Sequence, residues 1–198
     1  MFTQKGNASS KQTARPRKLH SLHGLLIGRE FIGEIETGKT KQKFAYAPKS
    51  VAMVNQRIEI RGSFSVTTAG RTRKAENVKA KLLSTQGSLT AAPSPPMGAD
   101  ESMLGTRPPV GLPETDATGY RGIIGVIYFK LSALDGRTLG VAADMNDVQL
   151  NGRLNPGDEM ARALQFWFSV AVQAAHGESP DGNLATKSLD EINRILKV

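Results

Sequence analysis

Over most of its first half, apolar and polar residues of this chain alternate with a period of two, and near its end the period becomes helical. Ile58, Ile60, Gly62, Phe64 and Val66 share one parity while Arg57, Glu59, Arg61, Ser63 and Ser65 take the other, which predicts a half-buried antiparallel strand. Val78, Ala80 and Leu82, alternating with Lys79, Lys81 and Leu83, predict its hairpin partner. Both apolar sets carry even numbers, so opposed residues must share a face. That requires a loop of odd length, Ala69-Gly70-Arg71, and sets Glu59 against Lys81 and Arg61 against Lys79. Upstream, 29–37 predicts a first strand and 42–47 a strand returning onto it.

Downstream, 120–131 is apolar on both parities and rich in β-branched and aromatic side chains, the pattern of a strand covered on both faces. Asp135-Gly136 predicts a tight turn leading into a strand over 139–143, and 148–150 extends the sheet. A helix is expected over 156–176, with Asn155 as N-cap, Pro156 in the first turn and Gly177 as the stop. Arg162, Gln165, Ser169, Gln173 and His176 draw one polar stripe along it, leaving an apolar arc wide enough for a sheet or a partner to cover. A second helix is expected over 188–198. The fold class is therefore mainly β with one or two C-terminal helices: an antiparallel β-sandwich or barrel-like sheet forming a single domain over 29–198.

Two segments stand outside that pattern. Residues 1–28 lack acidic side chains and scatter Lys and Arg among Ser, Thr, Gln and Gly, which predicts a basic, disordered arm. Residues 85–118 hold six of the ten prolines, a density no ladder tolerates, so they read as a long Pro-rich loop inserted into the sheet.

Composition sharpens this picture mainly by exclusion. With no Cys there is no disulfide framework and no thiolate chemistry, three His leave little for a transition-metal site, and no metal or cofactor is expected. No run of 18 apolar residues is present, so no transmembrane segment is indicated and a soluble, cytoplasmic protein is expected. The formal charge of +8 is unevenly spread, since 1–99 carry 17 Lys or Arg against 5 Asp or Glu and 100–198 carry 9 against 13. An anionic partner for the first half follows from that asymmetry.

Motifs add little chemistry. Gly33-Glu-Ile-Glu-Thr-Gly38-Lys39-Thr40 satisfies the Walker A expression, yet two glutamates beside a polyphosphate and the missing helix make it a strand and turn. Arg57-Ile-Glu-Ile-Arg61 and Ser84-Thr-Gln-Gly87 resemble the R-x-x-x-R and S-x-x-G elements of PilZ domains, small β-barrels with a C-terminal helix that bind cyclic diguanylate. The resemblance implies contacts to the dinucleotide from Arg57, Arg61, Ser84 and Gly87. Leu82 stands where that family carries Asp or Asn, which removes a defining ligand. His20 and His23 fall in the arm and His176 at a helix end, so no catalytic constellation is assembled. The acidic pairs Asp100-Glu101, Asp158-Glu159 and Asp190-Glu191 read as loop or helix-start residues.

What remains is a surface. Arg57, Arg61, Lys79 and Lys81 share the exposed face of the predicted hairpin, with Arg71, Arg73 and Lys74 at its tip, and all seven are anion-binding candidates. That face carries no interleaved aromatic for base stacking. Phe166, Trp167, Phe168 and Val172 on the helix are candidates for a partner surface. The expected function is a non-enzymatic binding or assembly module that associates with a protein partner or with itself, as in a subunit of a larger complex. The alternatives are an anion, nucleotide or nucleic-acid binder using the basic half, and a cryptic nucleotide-dependent enzyme.

Overall fold

The computed structural model describes residues 17–38, 40–86, 125–132, 134–155 and 157–197. In chain order the elements are β1 (Arg17–Lys18), β2 (Ser21–Ile27), β3 (Glu30–Thr37), β4 (Thr40–Val54), β5 (Arg57–Thr68), β6 (Arg71–Gln86), β7 (Val126–Ser132), β8 (Ala143–Asp144), β9 (Gln149–Leu154), α1 (Glu159–His176) and α2 (Gly182–Lys197). Seven strands close a barrel in the order β2-β3-β4-β5-β6-β7-β9, while β1 and β8 form a separate parallel pair. The mainly β class with C-terminal helices therefore holds, as a barrel. Its pairing is mixed rather than wholly antiparallel, because β9 lies parallel to β2 from Ser21↔Gln149 to Leu26↔Leu154.

That seam corrects the expected arm. Residues 17–27, grouped by composition with a basic tail, instead supply β1 and the first barrel strand, with Leu22 and Leu26 buried and His23, Leu25 and Ile27 outside. Two large inward leucines at even spacing outweigh the polar composition around them. Residues 1–16 lie outside the described residues.

The β5–β6 hairpin has the predicted faces: Ile58, Ile60, Phe64 and Val66 are buried, and Glu59 and Arg61 oppose Lys81 and Lys79. The route to that register differs. Thr68 pairs directly with Arg71, so the loop is the two residues Ala69-Gly70, both at positive φ. The odd residue sits instead in a bulge between Gly62↔Val78 and Phe64↔Ala75, where Asn77 takes a left-handed φ of 56°. β4 runs past the predicted 42–47 to Val54, with a register shift between Pro48 and Ser50.

Rings fill the barrel. Phe31 meets Phe129 edge-on at 4.9 Å and Phe44 stacks on Phe64 at 5.6 Å, while Phe129 reaches Phe168 of α1 at 5.9 Å. Gly152 is needed there, since a Cβ would lie 2.2 Å from the Phe31 ring. Through Phe168, α1 continues the barrel core at the end where the β2–β3 turn lies, and the Gly28 N–H of that turn donates to Asp158 just before the helix. α2 packs on α1 and on β4, where the Asn193 side chain accepts from Val51 N at 2.8 Å and donates to Val51 O at 2.9 Å. At the opposite end Leu139, Val141, Met145 and Val148 are buried, and the Gln42 side chain donates to Gly140 O at 2.9 Å.

Four element boundaries depart from expectation. β7 begins at Val126 and buries only Ile127, Phe129 and Leu131, so it is a one-sided barrel strand; 120–124 lie outside the described residues. Asp135 accepts from Arg137 N and from Leu139 N, winding 135–140 into successive turns instead of a hairpin, so 139–143 forms no full strand. α1 is capped by Asp158, which accepts from Ala161 N at 3.0 Å, not by Asn155. α2 starts six residues before Ser188, because Asp181 accepts from Asn183 and Leu184 N–H and so caps it. Ser188 lies inside that helix and bonds back to Leu184 O. Of the Pro-rich loop expected over 85–118, residues 85 and 86 end β6 and the rest lie outside the described residues.

Candidate functional site

The strand register arranges the outward side chains of β4, β5, β6, β7 and β9 in rows. One row runs Ser50, Arg61, Lys79, Ser132; the next runs Ala52, Glu59, Lys81, Lys130, Gln149. A third begins with Val54 opposite Arg57 and, on the far strands, sets Ser84, Tyr128 and Asn151 side by side. Outward neighbours lie about 5 Å apart across strands and about 7 Å apart along them, so Arg57, Arg61, Lys79, Lys81 and Lys130 form one continuous cationic surface.

A single carboxylate sits in its middle. Glu59, with a side chain 14% exposed, takes Arg61 Nε at 3.2 Å and Lys79 Nζ at 3.8 Å, while Lys130 Nζ has Asp147 at 3.9 Å. Lys81 stands directly opposite Lys130, a like-charge pairing that destabilises a sheet. Arg61 opposes Lys79 in the same way, softened by Glu59 between them.

Four of the seven predicted anion-binding residues, Arg57, Arg61, Lys79 and Lys81, are thus brought together, and three are not. Beyond the Asn77 bulge the parity of β6 reverses, so Arg73 stands opposite the inward Val66. With Arg71 it lines a cleft of about 200 Å³ closed by Leu139 and Gly140 at the end of the barrel. Lys74 and Lys49 both bind Glu76, at 2.8 and 2.7 Å, which holds the Glu76 carboxyl below its ordinary range.

Lys130 was missed by reading 120–131 as covered on both faces; its charge within an otherwise apolar run was the available signal. Tyr128 was missed for the same reason and places one half-buried aromatic on this surface. The helix candidates belong to the core: Phe166 and Trp167 are each 2% exposed and Phe168 0%, with Phe166 and Trp167 packed edge-to-face at 5.1 Å, and Val172 is partly buried.

The Walker-like segment is the β3–β4 hairpin. Thr37 pairs with Thr40 across a turn in which Gly38 has a φ of 63°, and Glu34 and Glu36 face Lys43 and Lys41. Glu36 holds Lys41 at 2.8 Å, and hydrogen bonding and charge from that lysine lower the Glu36 pKa, so this glutamate serves the hairpin. Beside the turn, Arg17, Lys18, His20, Ser21 and Glu36 border a cleft of about 430 Å³. Of the residues that the PilZ resemblance implicates, Arg57, Arg61 and Ser84 lie on the outer face and Gly87 is outside the described residues. Among the described residues no group of three His, Asp or Glu is close enough to share a metal ion, and no helix is long and apolar enough to cross a membrane.

Compared with known proteins, the chain matches no family, no curated protein and no solved structure.

Proposed function

We propose that this protein is a non-catalytic binding module whose barrel presents the outer face of β5, β6 and β7 to a polyanion. Lys81 placed directly across from Lys130 carries the reading. Opposed like charges cost and opposed unlike charges contribute about 0.2–1 kcal/mol, and the acidic neighbours, Glu59 across from Lys81 and Asp147 at 3.9 Å from Lys130, offset that repulsion only in part. Five cations around Glu59 leave a surplus that a multivalent anion neutralises, and its released counterions would make binding steeply dependent on salt.

The test is retention on heparin. Lys130→Glu should elute at lower salt than the parent while its unfolding midpoint stays about level, because the new carboxylate gains Lys81 but loses the contact with Asp147. Lys41→Gln with Lys43→Gln, on the balanced β3–β4 hairpin, should elute with the parent. Elution of Lys130→Glu at the parent's salt concentration would refute the assignment of this face.

A further inference from the structure

We infer that the polyanion is an anionic lipid surface, and that Val54 and Leu83 enter the bilayer interface while the neighbouring cations hold its headgroups. The inference rests on the polyanion reading and names its source.

The cationic face does not end in more polar surface. At its β4–β5 margin, Val54 pairs with Arg57. Leu83, the bulge residue of β6, lies two positions beyond Lys81, just as Arg57 lies two positions beyond Glu59, the partner of Lys81. These two are 37% and 47% exposed, a third of the large apolar side chains the described residues leave open to solvent.

Backbone geometry brings that margin forward. Pairing between β3 and β4 ends at Phe31↔Tyr46, whereas β4 and β5 stay paired through Val54↔Arg57, so their hairpin runs past β3 by eight residues. It turns on Asn55 and Gln56, at φ 49° and 59°, and α2 packs against β4, with Asn193 anchored at Val51. The projecting hairpin is therefore held along the edge that β3 leaves free.

The chemistry of the margin discriminates among polyanions. A single-stranded nucleic acid is held by successive aromatic platforms, and among the described residues this face offers only Tyr128. Aliphatic side chains stack on no base, yet beside Lys and Arg they are what an interfacial protein buries among acyl chains, with the charges left at headgroup level. Tyr128, apolar in its ring and polar at its tip, suits the same boundary.

Sedimentation with vesicles tests this. The full chain should bind vesicles of phosphatidylcholine with 30% phosphatidylserine, lose them at high salt, and ignore phosphatidylcholine alone. Lys81→Gln and Lys130→Gln should each weaken partitioning about fivefold. Leu83→Ser and Val54→Ser, both at exposed positions, should weaken it several-fold and leave heparin elution unchanged. Heparin retention without vesicle binding, tighter binding of a single-stranded 20-mer than of vesicles, or indifference to both serine variants would each overturn the lipid inference and leave the polyanion reading standing. Failure on heparin as well would remove both.

Discussion

Removing the Asn193 side chain tests how the barrel manages the place where β3 stops. Val51 pairs with Ile60 of β5 on one side, but β3 ends before it can serve the other, and the carboxamide of Asn193 fills the vacancy as a peptide group would. Asn193→Ala leaves one backbone N–H and one C=O of a residue 4% exposed without their partners. Each such orphan costs about 1–3 kcal/mol when sealed from water. Because Asn193 is itself only half-buried, water reaches the gap and the loss should come to about 2 kcal/mol. Urea unfolding followed by fluorescence of the buried Trp167 measures it, with an unchanged m-value confirming that the native fold persists. Asn193→Asp adds a diagnostic of sign. Its second oxygen would face the Val51 carbonyl, raising its folded-state pKa, so the stability it retains should be present at low pH and vanish as pH rises through that pKa. A loss under about 0.5 kcal/mol for Asn193→Ala, the range of an ordinary surface change, would refute the strand-mimic argument.

Two further perturbations probe the interior and the helix start. Tyr46 is fully buried in the aromatic core and its hydroxyl finds no protein hydrogen-bond partner, with burial pushing its pKa well up; Tyr46→Phe should leave stability unchanged or raise the thermal midpoint. A clear fall in midpoint would mean that the hydroxyl is bonded after all. Burial opposes the charge of Asp158, but backbone N–H groups of Ala161, Gly28 and Met160, with Arg162 nearby, prevail and hold its pKa below the ordinary value. Its contribution is therefore present above the unfolded-state pKa and lost as pH falls through the lowered one. Asp158→Ala should cost about 1–2 kcal/mol at neutral pH and flatten the acid limb of the stability profile; an unaltered limb would assign that limb to other carboxylates.

How much of this was legible beforehand varied with the source of each signal. Alternation along β5 and β6 fixed both faces and the pairing of Glu59 with Lys81, because an inward parity is a property of the strand alone. The Asn77 bulge was hidden: a left-handed residue within a strand is chosen by its partner's register. β2 was lost to composition, since seven residues with two deeply buried leucines weigh little beside the basic stretch preceding them. Both helix starts were displaced for a shared reason. Several caps compete locally, and the winners, Asp158 and Asp181, are those whose carboxylates reach free N–H groups. For Asp158 one of those N–H groups lies on a distant turn. As for the site, four cations were visible as one face, whereas Lys130 and Tyr128 joined them only when β7 was laid beside β6.

The seam between β2 and β9 has a consequence for how the molecule comes into being. A parallel closing pair cannot be joined by a tight turn, and here its members are separated by most of the polypeptide. Emerging from a ribosome, β3 to β6 can zip up through nearest-neighbour hairpins, but β2 has its second ladder unmet until Gln149–Leu154 has been translated. Sealing thus waits for the last strand to be made, and until then both borders of the nascent sheet remain available to strangers.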